Sequence, residues 1–434
     1  MEPVNFMRRI FRSPICMVLF AFFLRVLYAA AMHTYRFVGL WDLFEMANIG
    51  RSLALGHGFA APYAIDTGPS ALTPPIYPWV VSLAFRTFGV FSEGAGFAIV
   101  VFNSIFSALT CWTVYRIARR VFNDTVAAWS GWLWALSPWA LYYSVGWVWE
   151  TSLSAFLLSL LFMLTLDMDG DARFASWFRY GLVWGVAALT NTALLAWLPF
   201  SGCWLAYRLN RSGKRFLVPV LLSAVVFWIT LTPWLVRNYQ VFGQFVLIRD
   251  NFGNELRSGN NPLAEGWKVG SYDAFRNPAL ARITRQIGEP AVSAEQGKEA
   301  RAWIAENPGT FASLSLRRFY YFWAGLPRTW TGQPIPPEKQ LKNLFYLAFS
   351  LISFAGLVLA LKRRVPGAFL FVTVMVFYPL TYYISVPETR YRHAIEPVML
   401  ILIVFVVCSL FARLRQSHQP EPSSARLGAT AGKA

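Results

Sequence analysis

The stretch LFYLAFSLISFAGLVLAL occupies residues 344–361, and Lys362, Arg363 and Arg364 follow it directly. None of its 18 residues is charged. An α-helix rises about 1.5 Å per residue, so a helix of this length nearly crosses a hydrocarbon core about 30 Å thick. The stretch therefore predicts a transmembrane helix with a basic flank.

Comparable apolar stretches recur along the chain, and its composition agrees with them. Hydrophobic residues make up 56% of the chain and charged residues 14%, whereas a soluble domain carries about 25% charged residues. Two short spans are predicted within Tyr180–Tyr207, meeting near Asn191 and Thr192. The other predicted spans are Met17–Thr34, Ala95–Ala118, Thr125–Tyr143, Thr151–Leu166, Phe216–Val236, Leu344–Leu361, Ala368–Val386 and Val398–Phe411. We predict an all-α polytopic membrane protein with about ten transmembrane helices.

The basic residues lie beside these stretches in short clusters. The net charge of +17 could indicate a nucleic-acid partner, but a nucleic-acid-binding protein gathers Lys and Arg on one soluble face. The clusters are Arg8, Arg9 and Arg12; Arg116, Arg119 and Arg120; Arg208, Arg211, Lys214 and Arg215; Lys362, Arg363 and Arg364; and Arg413 and Arg415. Lys and Arg near short loops stay in the cytoplasm, so the clusters fix the orientation of the spans. We predict a multi-pass protein of the cell inner membrane, in contact with membrane lipids and with no nucleic-acid partner.

One apolar segment, Pro75–Phe88, is short and rich in proline near its start. If it crossed the membrane, the Arg116–Arg120 cluster would lie outside and every later loop would be inverted. We therefore predict that it forms a helix along the outer leaflet. Both termini are then cytoplasmic.

Two segments remain outside the membrane. The first, residues 33–94, belongs to an N-terminal transmembrane region of residues 1–236, and residues 237–343 form a second, helical outer loop domain. Residues 344–413 form the C-terminal transmembrane region, and residues 414–434 are predicted to be a disordered cytoplasmic tail because they are rich in small and polar residues.

The basic N-terminal segment has no small-residue cleavage site, which favours a retained first span. The four cysteines include no pair at metal-ligand spacing.

The first outer segment carries two acidic residues, Asp42 and Glu45, three positions apart. On a helix that starts at Asp42 they would share one face. Gly56 and Gly58 would end this helix. A structural alternative is that Asp42 only caps the helix, because aspartate is favoured at that position.

Several motifs follow one another along the chain. They are Gly56-His-Gly-Phe59, Thr73-Pro-Pro-Ile-Tyr-Pro-Trp79, Tyr115-Arg-Ile-Ala-Arg-Arg-Val-Phe122, Ala135-Leu-Ser-Pro138, Ala187-Ala-Leu-Thr190, Thr232-Pro-Trp-Leu-Val-Arg-Asn238, Gly259-Asn-Asn-Pro262 and Arg390-Tyr-Arg-His-Ala-Ile-Glu-Pro397. Together with the acidic residue after the first span, this series resembles the GT-C glycosyltransferases. Within them it is most similar to the bacterial branch related to protein O-mannosyltransferases and aminoarabinose lipid A transferases, over about residues 20–410.

The resemblance implies a donor sugar linked to polyprenyl phosphate and transfer on the outer face of the membrane. The catalytic carboxylate of the family falls on Asp42, and a second acid, at the outer start of a later span, falls on Glu150. The commoner pattern in the family is an Asp-Glu doublet, whereas this chain has Leu43 after Asp42. Whether Glu45 takes part is therefore open.

These residue types suit glycosyl transfer. A carboxylate can remove the proton of an attacking hydroxyl group, and arginine can stabilise a phosphate leaving group through paired hydrogen bonds. Arg237 lies at the outer end of the seventh predicted span, and Arg390 and Arg392 lie at the outer end of the ninth. We predict that these arginines bind the donor phosphate, although outer arginines can also simply anchor a span at the interface.

The resulting hypothesis is inverting, metal-independent glycosyl transfer on the periplasmic or external side, with Asp42 as general base and Glu150 orienting the acceptor. No cofactor is predicted. The sequence does not discriminate among sugars, nor among lipid, protein and cell-surface glycan acceptors, and a polymer ligase with a related donor fits as well. The alternatives from other classes are a multi-span secondary transporter, a lipid flippase and a non-catalytic assembly subunit. Transporters usually carry internal repeats and ionisable residues near the midplane; here the spans are almost free of charge, apart from Arg25, to which we assign no role.

Overall fold

The computed structural model describes residues 9–63, 65–328, 333–337 and 340–417. Their regular structure is helical apart from two isolated β-bridges. The helices up to the second outer segment are α1 (Pro14–Met32), α2 (Glu45–Ala54), α3 (Ile76–Phe88), α4 (Glu93–Val121), α5 (Asp124–Ala135), α6 (Pro138–Val145), α7 (Thr151–Asp167), α8 (Phe174–Thr190), α9 (Leu198–Arg211) and α10 (Leu217–Phe242). The remaining helices are α11 (Phe252–Gly259), α12 (Pro278–Ile287), α13 (Glu289–Glu306), α14 (Pro308–Ala324), α15 (Leu341–Lys362), α16 (Ala368–Phe377), α17 (Leu380–Ile384), α18 (Thr389–Arg392) and α19 (Glu396–Ser417).

Each predicted span coincides with one helix or a pair of helices. Five helical stretches are long and apolar enough to cross a membrane: α1, α4, α10, α15 and the continuous run Thr389–Arg415. The other predicted spans correspond to shorter helices, and the stretch predicted as one span at Thr125–Tyr143 is broken between α5 and α6. The prediction of an all-α polytopic membrane protein is confirmed. The count of ten crossings stays a prediction.

The break between α5 and α6 accounts for the buried charge of Arg25, a residue inside α1. Arg25 is fully buried. Its guanidinium donates to the Ser107 hydroxyl at 2.9 Å and to the carbonyl oxygens of Ala21 at 2.9 Å, Ala135 at 3.0 Å and Trp134 at 3.3 Å. The last carbonyls of a helix lack partners within it, so Arg25 satisfies the end of α5. Its role in this structure is to join α1, α4 and α5.

Replacement of Arg25 by Leu should lower the free energy of unfolding by about 2 to 4 kcal/mol, because buried acceptors lose their donors. The measurement is thermal unfolding in detergent, followed by the reactivity of the buried Cys111 thiol. Arg36→Ala is the control, because the Arg36–Glu93 pair, at 3.2 Å, is half exposed and such pairs contribute less than about 1 kcal/mol. Equal effects of the two substitutions would contradict the role assigned to Arg25.

Helix α3, the segment predicted to lie along the outer leaflet, packs against α2 and α4. Its 13 residues span only about 20 Å, too short to cross the hydrocarbon core. Gly50 on α2 makes the close packing possible, since a Cβ at this position would lie 2.6 Å from Cγ1 of Val81. The length of α3 is compatible with the interfacial prediction, which remains a prediction.

Buried polar contacts join the two segments that are predicted to lie outside the membrane. Glu289, at the start of α13, accepts hydrogen bonds from the Ala71 amide at 2.7 Å and the Ser70 hydroxyl at 2.8 Å. Burial raises the pKa of this carboxyl to about 8. Arg237, near the end of α10, donates to the carbonyl oxygens of Ser70 at 2.7 Å and Phe59 at 2.6 Å. The first outer segment is thereby held against α10 and α13.

Helix α19 extends to Ser417, so residues 414–417 of the predicted tail are helical. The rest of the predicted disordered tail, residues 418–434, lies outside the described residues.

Candidate active site

A cavity of about 450 Å³ lies between the start of α2, the turn from α6 to α7 and the second outer segment. Cavities of this size hold small ligands, typically with apolar walls and a few polar groups that fix orientation. The aromatic residues in its wall are Phe44, Tyr142, Tyr143, Trp147, Trp149 and Phe275. The charged residues in its wall are Glu45, Lys268, Asp273, Arg276, Arg328, Lys342, Glu388 and Arg390.

The turn before α2 decides which acidic residue reaches this cavity. The predicted helix starting at Asp42 is wrong: Trp41–Leu43 form a 3₁₀ turn, Phe44 is extended, and α2 begins at Glu45. Trp41 and Phe44 are buried in a cluster of aromatic rings. Since these two side chains point inward, Glu45 lines the cavity, while the Asp42 side chain is exposed and is not part of the cavity wall. The two carboxylates therefore do not share a helical face.

Glu45 is partly buried, and its carboxylate makes no hydrogen bond or ion pair with another described residue. Burial raises the pKa of the Glu45 carboxyl, and the ammonium of Lys268 opposes this shift. Lys268 is itself held by Asp273 at 3.0 Å and Glu255 at 3.2 Å. Within the described part of the chain, the cavity thus contains an unpaired carboxylate beside an ion-pair network.

Arg390 lines this cavity and also a small pocket behind it, in which Glu150 lies. The guanidinium carbon of Arg390 is 4.0 Å from the ring centroid of Trp149. Among the described residues, Nε of Arg390 and Oε2 of Glu150 are buried without a hydrogen-bond partner. Burial raises the pKa of the Glu150 carboxyl to about 7. Glu150 precedes α7, but its side chain makes no capping hydrogen bond, so capping does not account for it.

The other two predicted phosphate-binding arginines lie elsewhere. Arg237 lines a separate apolar cavity of about 740 Å³, which shares no lining residue with the first. Its guanidinium is packed against the rings of Phe59 and Trp234. Arg392 is fully buried and paired with Glu396 at 3.0 Å. The structure therefore brings Glu45 and Arg390 to one cavity and places Glu150 in a small pocket that Arg390 also lines. It leaves Asp42, Arg237 and Arg392 out of the cavity wall.

Lys268, Asp273 and Glu388 also line this cavity, and none of them is among the residues predicted from the sequence. Glu388 is two residues before Arg390, and this proximity to a predicted phosphate-binding residue indicates a position near the site. Lys268 and Asp273 lie in a segment without a recognisable motif, and only the folding of the second outer segment over α2 brings them to the site. In the part of the chain that the structure describes, no group of three or more His, Cys, Asp or Glu residues could hold a metal ion.

Comparison with known proteins agrees with this architecture. The family described as dolichyl-phosphate-mannose-protein mannosyltransferase matches residues 73–236. No curated protein matches the chain.

Among solved structures, the apo oligosaccharyltransferase of Archaeoglobus fulgidus is 14% identical with a TM-score of 0.54, covering 93% of this chain and 52% of that one. The same organism's AglB, in complex with an inhibitory peptide and a dolichol-phosphate, is 15% identical with a TM-score of 0.52, covering 90% and 48%. ArnT from Cupriavidus metallidurans bound to undecaprenyl phosphate is 15% identical with a TM-score of 0.38, covering 91% and 81%.

The present chain spans about half the length of the oligosaccharyltransferases that it matches. At these identities the likeness concerns the fold. The predicted resemblance to GT-C membrane glycosyltransferases is confirmed.

Proposed function

We propose that this chain, which has the fold of the GT-C membrane glycosyltransferases, transfers a sugar from a polyprenyl-phosphate-linked donor to a hydroxyl acceptor on the non-cytoplasmic face of the membrane. The observation that carries the proposal is the cavity in which the unpaired carboxylate of Glu45 and the guanidinium of Arg390 both line the wall. One group can accept a proton and the other can bind a phosphate, and an aromatic wall for a sugar lies beside them.

The reaction we propose is a single displacement. The oxygen of the acceptor hydroxyl attacks the anomeric carbon of the donor sugar, and the Glu45 carboxylate takes the hydroxyl proton. The bond between the anomeric carbon and the phosphate oxygen breaks, and its electron pair leaves with the phosphate. Attack opposite the leaving group inverts the configuration at the anomeric carbon, and polyprenyl phosphate is released.

Arg390 supplies the charge that the leaving phosphate requires. A guanidinium can donate two parallel hydrogen bonds to phosphate oxygens, and the Arg390 side chain lines the cavity wall. Trp149 holds the guanidinium plane from one side. Because Glu150 shares a small pocket with Arg390 and does not line the main cavity, we propose that it stabilises Arg390, in place of the acceptor-orienting role expected from the sequence.

Glu45 is favoured over Asp42 as the general base. A base works best when its pKa approaches the working pH, and partial burial moves the pKa of Glu45 in that direction. Asp42 is exposed, and its backbone carbonyl, not its side chain, accepts a hydrogen bond from Asn48. The acceptor class, whether lipid, protein or glycan, stays open.

The test compares wild type with Asp42→Asn in proteoliposomes supplied with a labelled polyprenyl-phosphate sugar and a membrane extract as acceptor source. Water and salt screen an exposed carboxylate, so we expect the variant to retain activity within about fivefold of wild type. The readout is the release of free polyprenyl phosphate together with labelled product. A folded Asp42→Asn protein as inactive as Glu45→Gln would return the base role to Asp42, and a wild-type protein that consumes no such donor would overturn the proposed function.

A further inference from the structure

We propose that the buried cluster of Arg392, His393 and Glu396 is a positioning device that sets the backbone around Arg390 and so aims its guanidinium into the cavity. This inference rests on the proposed function, because it assumes that Arg390 binds the donor phosphate. Arg392, His393 and Glu396 are positioning residues, since they lie outside the cavity wall.

The three side chains of the cluster are joined through the carboxylate of Glu396. Oε1 of Glu396 accepts hydrogen bonds from Nε of Arg392 at 3.2 Å and from Nη2 of Arg392 at 3.0 Å. Oε2 of Glu396 is 2.6 Å from Nδ1 of His393. Arg392 and His393 are fully buried, and Glu396 is 2% exposed. Each carboxylate oxygen therefore has its own partner.

Arg392 also ties the cluster to the ends of two other helices. Nη1 donates to the Ser350 hydroxyl at 2.8 Å, to the Tyr346 carbonyl at 3.0 Å and, more weakly, to the Trp323 carbonyl at 3.4 Å. The guanidinium lies over the ring of Tyr346. The turn that contains Arg392 is thereby fixed against α14 and α15.

The backbone on both sides of Arg390 is fixed by two tyrosines. The Tyr346 hydroxyl donates to the Thr389 carbonyl at 2.9 Å, and the Tyr378 hydroxyl donates to the Tyr391 carbonyl at 2.8 Å. Tyr346 is the same residue whose ring packs against Arg392. The ion cluster and the two carbonyl contacts together hold the backbone on both sides of Arg390. From this backbone the Arg390 side chain lines the cavity.

The ring of His393 connects the cluster to the cavity wall. It packs against Trp134 at 5.4 Å and Tyr143 at 4.6 Å between ring centroids, and Tyr143 lines the cavity. A buried ion cluster is weak evidence for stability, because apolar replacements are often as stable. We therefore interpret the cluster as holding neighbouring groups of the site in a precise orientation, since a site keeps its geometry only when the surrounding residues support it.

The test measures the affinity of the full chain in nanodiscs for undecaprenyl phosphate. Glu396→Gln keeps the side-chain size and removes the charge that holds Arg392 and His393. We expect it to weaken binding about tenfold, as losses of supporting contacts typically do. In an Arg390→Gln background, Glu396→Gln should cause less than about a twofold further loss, because the group that it positions is gone.

Two further variants keep the result interpretable. Glu289→Gln is the control matched in burial and hydrogen bonding, because Glu289 is also 2% exposed and accepts two hydrogen bonds. Glu289 lies outside the cavity wall, in the contact between α13 and residues 70–71. The variant should bind undecaprenyl phosphate as wild type does. If Glu396→Gln fails to fold, Tyr346→Phe removes the hydroxyl that donates to the Thr389 carbonyl and leaves the Arg392–Glu396 ion pair in place. It should weaken binding about threefold, again only when Arg390 is present.

Three results overturn the inference. Binding by Glu396→Gln equal to that of wild type removes the positioning role, and so does a loss of equal size with and without Arg390, which indicates general destabilisation. A loss in Glu289→Gln as large as in Glu396→Gln has the same meaning. If wild type and Arg390→Gln do not differ, the proposed phosphate site itself fails, which is a separate outcome.

Discussion

Replacement of Glu45 by Gln should lower kcat/KM for sugar transfer by about 10² to 10⁴, the range that a positioned general base contributes. Gln has nearly the same shape and cannot accept the hydroxyl proton. Since Glu45 makes no hydrogen bond or ion pair with another described residue, the substitution should leave the fold and the thermal unfolding temperature unchanged. Affinity for the donor should also be retained, because in our proposal Arg390, and not Glu45, contacts the phosphate.

The pH profile gives a second readout of the same residue. The base acts in its ionised form, and burial raises the pKa of Glu45 above its ordinary value of about 4.3. Activity should therefore be lost as the pH falls through this raised pKa, so that the acidic limb of kcat/KM lies above the ordinary range of a glutamate carboxyl. Glu150, with a pKa of about 7, titrates nearby.

Two variants separate these carboxyl groups. Glu45→Asp should have a lower kcat/KM but still lose activity at acidic pH, because a carboxylate base remains. In Glu150→Gln, any fall of kcat/KM near pH 7 that is caused by Glu150 should disappear. Wild-type rates in Glu45→Gln, or an acidic limb that persists unchanged in residual Glu45→Gln activity, would exclude Glu45 as the base.

Replacement of Arg390 by Gln should lower kcat/KM by about 10² to 10³, the cost of removing one preorganised donor at developing negative charge. The donor phosphate gains charge as the bond to the sugar breaks, so both KM for the donor and kcat should suffer. Arg390→Lys keeps the charge but loses the planar, two-pronged geometry and the stacking on Trp149. It should recover only a small part of the loss.

Arg237 supplies the control for this prediction. It was expected from the sequence to bind the same phosphate, yet it lines the separate apolar cavity and donates to the carbonyl oxygens of Ser70 and Phe59. Arg237→Gln should affect thermal stability more than donor affinity. Steady-state kinetics with varied donor concentration measure the KM for the donor in both variants, and thermal unfolding measures their stability. If Arg237→Gln raises KM for the donor and Arg390→Gln does not, the donor phosphate binds at the apolar cavity instead.

Much of the helical framework could be predicted because it follows from local chemistry. Residues 344–361 are apolar and uncharged, and helix α15 covers Leu341–Lys362. The break near Asn191 was likewise visible, because the apolar stretch around it is too long for one span and contains a polar pair; α8 ends at Thr190. Helix length and hydropathy depend on neighbours in sequence, so sequence suffices for them.

The site could be predicted only in part, because it depends on directions that spacing does not determine. Arg390 and Arg392 are two residues apart in one turn, yet one lines the cavity and the other is buried in the ion cluster with Glu396. Asp42 and Glu45 have helical spacing, but the extended Phe44 between them starts the helix later and separates their directions.

The sequence by itself determined a helical membrane protein that resembles the GT-C glycosyltransferases. It also singled out a short set of acidic and basic residues as candidates for the site. Only the tertiary structure decided which of them meet. Burial of Trp41 and Phe44 in the aromatic cluster accompanies a Glu45 that lines the cavity and an Asp42 that is exposed. Arg392 is buried against Tyr346 and Ser350, whereas Arg390 lines the same cavity as Glu45. The physical reason is that apolar length is a property of one segment, whereas the direction of a side chain is set by packing between segments that are distant in sequence.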